Sequence, residues 1–459
     1  MPKPLLFFFA ALALAPFALA GEPKSKPGAE PGRRDSERAG KSAVDPELQK
    51  RIDKTIDQAR ACLTKACAAP PGKPPLITLF KHGAGEEALV GLALVQSGSP
   101  PQDPLVQRIW ADLQALASGK LTDPNPSETY SLALQLLFAD AMMHAPSGKS
   151  WPPAEERDQV LAWMSKLAER LAAGCDGGTW TYACKAPVYG VREAKPKGYK
   201  VGPGGLGLGT PALEAASKPK GSFDHSNTQY GILGLKAALL NGVTLRNEFR
   251  WDFVLQHFLS TQWKDGPKVK LQVATQERAK PKEGAGKSGR SGFEETFTSK
   301  EEGPTETEAQ ARGWSYQPPH NGGQTTGMTA AGLAAMLVAR SEAGRLIPAD
   351  RKLVDASIRD AVAWFQQNWR MPVNGYDMYG VERMGVLGNL KSIGTHNWYE
   401  ELARELVATQ TADGAWASTK AFPNYGDTAN TALSLLVLCR GTREAYARPY
   451  TIGELPPAK

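Results

Sequence analysis

The sequence predicts an all-α protein in which six pairs of helices, one amphipathic and one buried in each pair, close into a ring. Residues 353–369 set Val354, Ile358, Val362, Phe365 and Trp369 on one stripe at spacings of three and four, and residues 398–407 do the same with Trp398, Leu402 and Leu406. Helices of that kind keep one face wet. Met328 to Val338 and Ala432 to Leu438 are apolar almost all round, as in helices covered on every side. The two kinds alternate along the chain, with no convincing strand pattern between them.

In order, amphipathic helices are expected near 46–62, 104–118, 154–172, 245–262, 350–369 and 397–410. Each is followed by a buried helix, starting near Glu86, Glu128, Asn227, Thr325, Asp377 and Asp427. These starts lie 42 to 66 residues apart once two inserted stretches are set aside, the spacing of a repeat architecture. An open array would leave the second face of the buried helices in water, so closure is favoured over residues 45–440.

The remaining segments are punctuation around that ring. Lys3, the apolar run Leu5 to Ala15 and the small-residue site Ala18-Leu19-Ala20 read as an export signal over residues 1–20. Gly21 follows where a lipid anchor would need Cys. Residues 21–44 read as a disordered linker, 190–222 and 265–311 as long surface insertions, and 441–459 as a C-terminal tail. The expected location is therefore exported, periplasmic or extracellular. No apolar run reaches the roughly 20 residues that span a bilayer. The net charge of +7 sits largely in the segments outside the ring: +2 in the linker, +4 in 190–222 and −1 in 265–311, leaving +1 for the rest of the mature chain. That distribution argues against a nucleic-acid partner and leaves a ligand or an envelope partner as the expectation.

Five cysteines leave at least one unpaired. Cys175 and Cys184 flank the turn-rich Asp-Gly-Gly-Thr-Trp-Thr-Tyr-Ala and form the expected disulfide. Cys62 and Cys67 would point apart in a continuous helix and could bridge only where Pro70-Pro71 ends it; Cys439 reads as a buried free thiol. No pair of Cys-x-x-Cys motifs exists, and neither metal nor cofactor is expected.

Short motifs recur in the loops that lead into buried helices: Cys175-Asp-Gly-Gly-Thr-Trp180-Thr-Tyr182, Gly313-Trp314-Ser315-Tyr316 and Gln410-Thr-Ala-Asp413-Gly414-Ala-Trp416. Glycine permits the turn, the aromatic clamps it, and Gln410 can bond backbone groups freed nearby. The last motif resembles the Gln…Gly-x-Trp repeat of squalene and hopene cyclases and protein prenyltransferases, whose fold is an (α/α)6 toroid. The stretch Asn374-Gly-Tyr376-Asp-Met-Tyr379-Gly380-Val-Glu382-Arg383-Met-Gly385, followed by Thr395-His396-Asn397-Trp398-Tyr399, is similar to exported bacterial prenyltransferase/squalene-oxidase-repeat proteins of unassigned activity. The resemblance covers roughly residues 46–440. The catalytic signatures of the enzymes are missing: the chain has no Asp-Asp pair for a cyclase acid or a diphosphate-binding motif, no Asp-x-Cys for prenyltransferase zinc, and no Gly-Cys-Gly-Glu-Gln thioester.

In such a toroid the loops entering the inner helices meet at one mouth of a central funnel. Candidate groups there are Asp224, His225, Tyr376, Asp377, Tyr379, Glu382, Arg383, His396 and Asp427, with Glu86, Glu128 and Asn227 beside them. Helix capping is the simpler account of Glu86, Glu128 and Asp427. Asp224-His225 reads either as an acid/base pair or, more simply, as an N-cap beside a histidine; His257 reads as packed core, and His396 as a loop-orienting group. In the segment 374–385, Tyr379 and Arg383 share a helix face at i,i+4, and the choice is between a binding cluster and an internal Glu382–Arg383 pair. The function expected first is binding or scaffolding through the funnel or the loops. The alternatives are a carboxylate-dependent lyase or hydrolase acting on a polysaccharide, and an isoprenoid or lipid binder or cyclase.

Overall fold

A computed structural model describes residues 44–68, 76–123, 128–149, 151–185, 207–208, 219, 223–246, 249–275, 307–318, 322–344, 346–418 and 426–447. The export signal, the linker up to residue 43, most of the insertion 190–222 and the tail beyond residue 447 lie outside them. Twelve α-helices are formed among the described residues: α1 Pro46–Ala66, α2 Gly83–Gln96, α3 Pro104–Ala117, α4 Glu128–Met143, α5 Arg157–Ala173, α6 His225–Leu240, α7 Trp251–Thr261, α8 Thr326–Glu342, α9 Pro348–Asn368, α10 Gly375–Leu387, α11 Trp398–Thr409 and α12 Gly426–Cys439. Of the odd-numbered helices, α1 buries one stripe, Leu48, Ile52, Ile56, Ala59 and Leu63. Helix α9, expected to keep one face wet, is instead buried all round from Ser357 to Phe365, because the strands Lys268–Leu271, Thr307–Gln310 and Leu390–Ile393 pack on it as well as α8. The even-numbered helices are covered over most of their surface, and in α8 every residue from Gly327 to Ala339 is buried. The packing follows from that difference. Helix α2 lies against α4, α4 against α6, α6 against α8, α8 against α10, α10 against α12, and α12 returns to α2. Helix α11 likewise packs on α1.

Helix ends follow from local chemistry. Asp45, Asp103, Asp224, Thr325, Asn374 and Asn397 each accept a backbone N–H of the first turn of the helix they precede, and Pro opens α1, α3 and α9.

Tryptophans join three of the odd-numbered helices, α5, α7 and α11, to the even-numbered helix that follows each. The Trp180 indole N–H donates to Leu171 O at the end of α5 (2.7 Å), while its backbone N–H donates to Thr228 Oγ1 on α6 (3.2 Å). Trp314 repeats both bonds, to Phe258 O of α7 (2.9 Å) and Thr329 Oγ1 of α8 (3.2 Å). Trp416 does so again, to Leu406 O of α11 (2.9 Å) and Thr431 Oγ1 of α12 (3.0 Å). Three residues beyond Thr228 and Thr329 stand Gly231 and Gly332, where any Cβ would meet the indole at 2.6 and 2.4 Å. Gln410 adds a link between neighbouring pairs, donating to Gly414 O and to Thr55 O of α1, both at 3.0 Å. Gly414 has φ +88° and lies so close to α1 that a Cβ would stand 2.4 Å from Gln58 O.

Three further features depart from the sequence expectations. The insertion 265–311 begins and ends in strands: β1 Lys268–Leu271 pairs antiparallel with β3 Thr307–Gln310, and β2 Val273–Thr275 pairs with β4 Leu390–Ile393. Each strand is only three or four residues long, too short for its alternation to stand out from surrounding polar text. Cys175 and Cys184 are free thiols, not a disulfide. Cys184 has φ +47° and directs its Sγ toward Arg170 O, against Gly174. Cys439 is only half-buried, where a buried thiol is expected; Cys62 and Cys67, whose pairing the sequence leaves open, are unbridged.

Beyond α12 the chain turns back over the ends of the inner helices. Asp140, fully buried in the last turn of α4, accepts from Arg443, from the Tyr446 hydroxyl (2.6 Å) and from Asn241 Nδ2 (2.7 Å), with His144 Nδ1 at 3.3 Å. Burial alone would raise this carboxyl, but the His144 and Arg443 interactions outweigh it and hold the pKa below the ordinary value of 3.8. Its contribution to stability is therefore complete above pH ~4 and is lost as pH falls through the depressed value. Asp140→Asn should cost about 2–4 kcal/mol at pH 7 and flatten the acid limb of stability against pH, read by urea unfolding from pH 2 to 7. Gly332→Ala should cost about 1–3 kcal/mol in the same assay, because a helix-favouring methyl is driven into Trp314.

Candidate functional site

The N-terminal ends of the inner helices carry a run of tyrosines that descends from solvent into the interior. Tyr182 and Tyr316, two residues after Trp180 and Trp314, are 50 % and 36 % exposed, and their hydroxyls meet at 2.8 Å. The Tyr182 ring lies 5.9 Å from that of Tyr130 on α4, and Tyr130 lies 4.8 Å from Tyr230 on α6. Tyr230 is 6.3 Å from Tyr376 on α10 and stacked on it. The hydroxyls are joined as well: Tyr130 to Ser226 Oγ at 2.5 Å, Ser226 Oγ to Tyr376, and Gln229 Nε2 to the Tyr376 hydroxyl at 2.6 Å. Helix α8 stands between α6 and α10 in the packing order, so the bonds to Tyr376 cross the interior rather than a helix seam.

Arg383 lies below these rings, one turn after Tyr379 on α10. Its guanidinium carbon is 4.4 Å from the Tyr379 ring centre and 4.7 Å from that of Tyr230. The shared face expected for Tyr379 and Arg383 is present; the Glu382–Arg383 pair is not. Adjacent helix residues point about 100° apart, and Glu382 instead accepts from the Thr442 N–H (3.1 Å) and Oγ1 (2.6 Å). Burial, reinforced by Glu382, pushes the Tyr379 hydroxyl well above the ordinary tyrosine range.

The other candidates resolve individually. Asp224 is the N-cap of α6, accepting the Asn227 N–H at 2.7 Å and Asn227 Nδ2 at 2.8 Å; burial raises its carboxyl despite those bonds. His225 does not pair with Asp224. Its Nδ1 meets Ser315 O at 2.6 Å, and its Nε2 faces His257 Nε2 at 3.1 Å and Thr261 Oγ1 at 3.2 Å. Burial lowers His225 to about 4, and burial together with His225 holds His257 well below the ordinary histidine value, so both imidazoles are neutral at pH 7. With Nδ1 donating to a carbonyl, His225 Nε2 is left as an acceptor. His257 is core, as its neighbours suggest. Asp377 accepts from Asn374 Nδ2 at 2.9 Å, and burial raises it. Glu86 accepts the His82 N–H at 3.1 Å and is raised by burial, whereas Glu128 is paired with Arg170 at 3.1 Å.

Two candidates are misplaced by the sequence reading. Asp427 is exposed and accepts the Ser418 N–H (2.7 Å) and Oγ (3.0 Å), bracing the entering loop rather than capping its own helix. His396 stacks on Trp369 and contacts Glu401 at 3.1 Å. It follows the C-terminal end of α10 and leads into an outer helix, so it lies at the opposite end from the tyrosines.

Sequence reasoning passed over Tyr130, Tyr230 and Gln229. Tyr182 and Tyr316 did carry a signal, both standing at Trp+2 of a repeated motif. Gln262 was also missed: it ends α7 as Gln410 ends α11, donating to Arg312 O (3.1 Å) and Ser357 O (3.0 Å), but 51 residues separate it from Gly313. Glu87, fully buried on α2 and facing Asp112 on α3, is outside the tyrosine cluster. Burial, then Asp112, lift its pKa to about 9. Among the described residues no group of three or more His, Cys, Asp or Glu could hold a metal ion. No helix there is long and apolar enough to cross a membrane. The sequence matches no family model, no curated protein and no solved structure at significance.

Because the folded state holds the Glu87 proton more tightly than an unfolded carboxyl with a pKa near 4.5, the stabilisation it gives is complete below that value and is lost as pH rises toward 9. Glu87→Gln should remove that slope, gaining roughly 1 kcal/mol over wild type for each unit between pH 5 and 8 in urea unfolding.

Proposed function

We propose that this chain is an exported (α/α)6 toroid of the squalene-cyclase and prenyltransferase type that acts as a binding protein, taking a ligand at the tyrosine-rich end of its inner helices. The closed order of inner-helix packing and the recurring tryptophan clamps support the fold reading. The observation that carries the functional reading is the crossing of the interior by Tyr376, Ser226 and Gln229, which brings hydroxyls and ring faces from α4, α6 and α10 to one place. Ring faces and hydroxyls recognise ligands by stacking and hydrogen bonding. The acidic groups at that end are engaged with Asn227, His82 and Asn374, which favours recognition over proton transfer.

Thermal-shift titration of the mature chain with neutral and acidic sugars, aromatic acids and a prenyl alcohol should identify a ligand. Its affinity should fall about tenfold, roughly 1.4 kcal/mol, in Tyr182→Ala and in Tyr376→Phe. Asp224→Asn keeps an N-cap and should leave that affinity intact; turnover of the ligand, abolished in this variant, would replace binding by catalysis. A panel without response, or tyrosine variants that bind as wild type does, refutes the proposal.

A further inference from the structure

Arg383 is the least compensated charge in the interior. Its side chain is 1 % exposed, and Nε, Nη1 and Nη2 meet no hydrogen-bond acceptor among the described residues. The guanidinium is charged at every accessible pH. Tyr230 and Tyr379 cover it with ring faces, which attract a cation but bring no carboxylate to it. The adjacent carboxylate, Glu382, is bound by Thr442. Four partly buried arginines have carboxylates: Arg250 has Asp252, Arg312 has Asp360, Arg340 has Asp355 and Arg443 has Asp140. The influences on Arg440 include Glu382 and Glu444, whereas those on Arg383 are chiefly tyrosines. A buried charge without a counter-charge strongly destabilises the state that holds it, so an anion has a large differential affinity for this position.

We propose that Arg383 anchors the carboxylate of a small ring-bearing acid, whose body lies along Tyr230, Tyr376 and Tyr130 toward the mouth at Tyr182 and Tyr316. This rests on the binding reading above and names the ligand's chemistry. One guanidinium balances one carboxylate, whereas a phosphate monoester would leave a second charge uncompensated. The planar fork of donors takes a carboxylate edge-on through two parallel bonds. A flat aromatic acid and a uronic acid share this chemistry.

The test is a thermal-shift titration of the mature chain with four probes in two pairs, benzoate against benzamide and glucuronate against glucose, with inorganic phosphate alongside. At least one acid should give a saturable rise in Tm with an affinity about tenfold or more above its neutral partner, and the responding pair distinguishes aromatic from sugar acids. Phosphate should give no saturable rise. Arg383→Met should abolish the acid response while melting at or above the wild-type temperature, since it deletes an uncompensated buried charge. Arg383→Lys keeps the charge, loses the fork and should bind the acid about tenfold more weakly, which decides the matter if the Met variant does not fold. The inference is overturned if neither acid is preferred to its neutral partner, if phosphate binds as well, or if Arg383→Lys or Arg383→Met binds as wild type does. Neutral glucose binding with no acid preference, yet sensitive to Tyr182→Ala, would sink this inference and leave the binding function standing.

Discussion

The tryptophan clamp is the interaction on which the rest of the molecule depends. An outer helix ends, the chain turns, and one indole adds a second hydrogen bond to a carbonyl of that helix's last turn that already accepts a backbone N–H, while its own backbone N–H is taken by a threonine on the next inner helix. A carbonyl oxygen has two lone pairs, so the helix-end group can hold its own cap and the indole together, and the clamp ties the two layers without breaking the cap. The glycine one turn along the inner helix lets the indole lie against backbone, and the side chains of α6 and α8 are aimed by that contact. Tyr182 and Tyr316, two residues after their tryptophans, inherit their positions from it. The mouth of the site is thus set by the joints of the scaffold.

Periodicity made most of the helical layout legible before any coordinates. Amphipathic stripes and fully apolar runs differ in where water is excluded, and the helices form close to where those patterns lie. The clamps were legible too, since Gly and Trp at fixed spacing have few other uses. Contacts that depend on distant partners were not. Gln262 acts as Gln410 does, yet the insertion hides its relation to Gly313. The paired strands at 268–271 and 307–310 take register from each other, not from local alternation. The cysteines flanking a turn suggested a bridge, but the left-handed Cys184 backbone turns its sulfur toward Arg170 O.

The site was half legible for the same reason. Reading residues 374–385 as one cluster correctly joined Tyr379 to Arg383 but failed for Glu382, which the helix turns toward Thr442, a residue 60 positions away. The partners of Tyr376 come from α6, and nothing in either segment announces the other. Asp224 and His225 are adjacent in sequence and answer to different neighbours, one to its own helix and one to the Ser315 carbonyl. Sequence adjacency is a poor guide among helices packed this way, where facing residues such as Glu382 and Thr442 or Ser226 and Tyr376 are 60 to 150 positions apart.

The strands that bracket the second insertion have a consequence for how this chain can change. Leu271 stands opposite Thr307 and Lys268 opposite Gln310, so the two ends of the insertion are held side by side, with β2 carrying the first of them on to β4. Once two ends are held side by side, doubling the length of chain between them costs only about 0.6 kcal/mol. The hook of Gln262 and the clamp of Trp314 keep their geometry on either side of that doorway. A repeat unit has thereby become a splice point, where new sequence can be tried without renegotiating the packing of the helices around it.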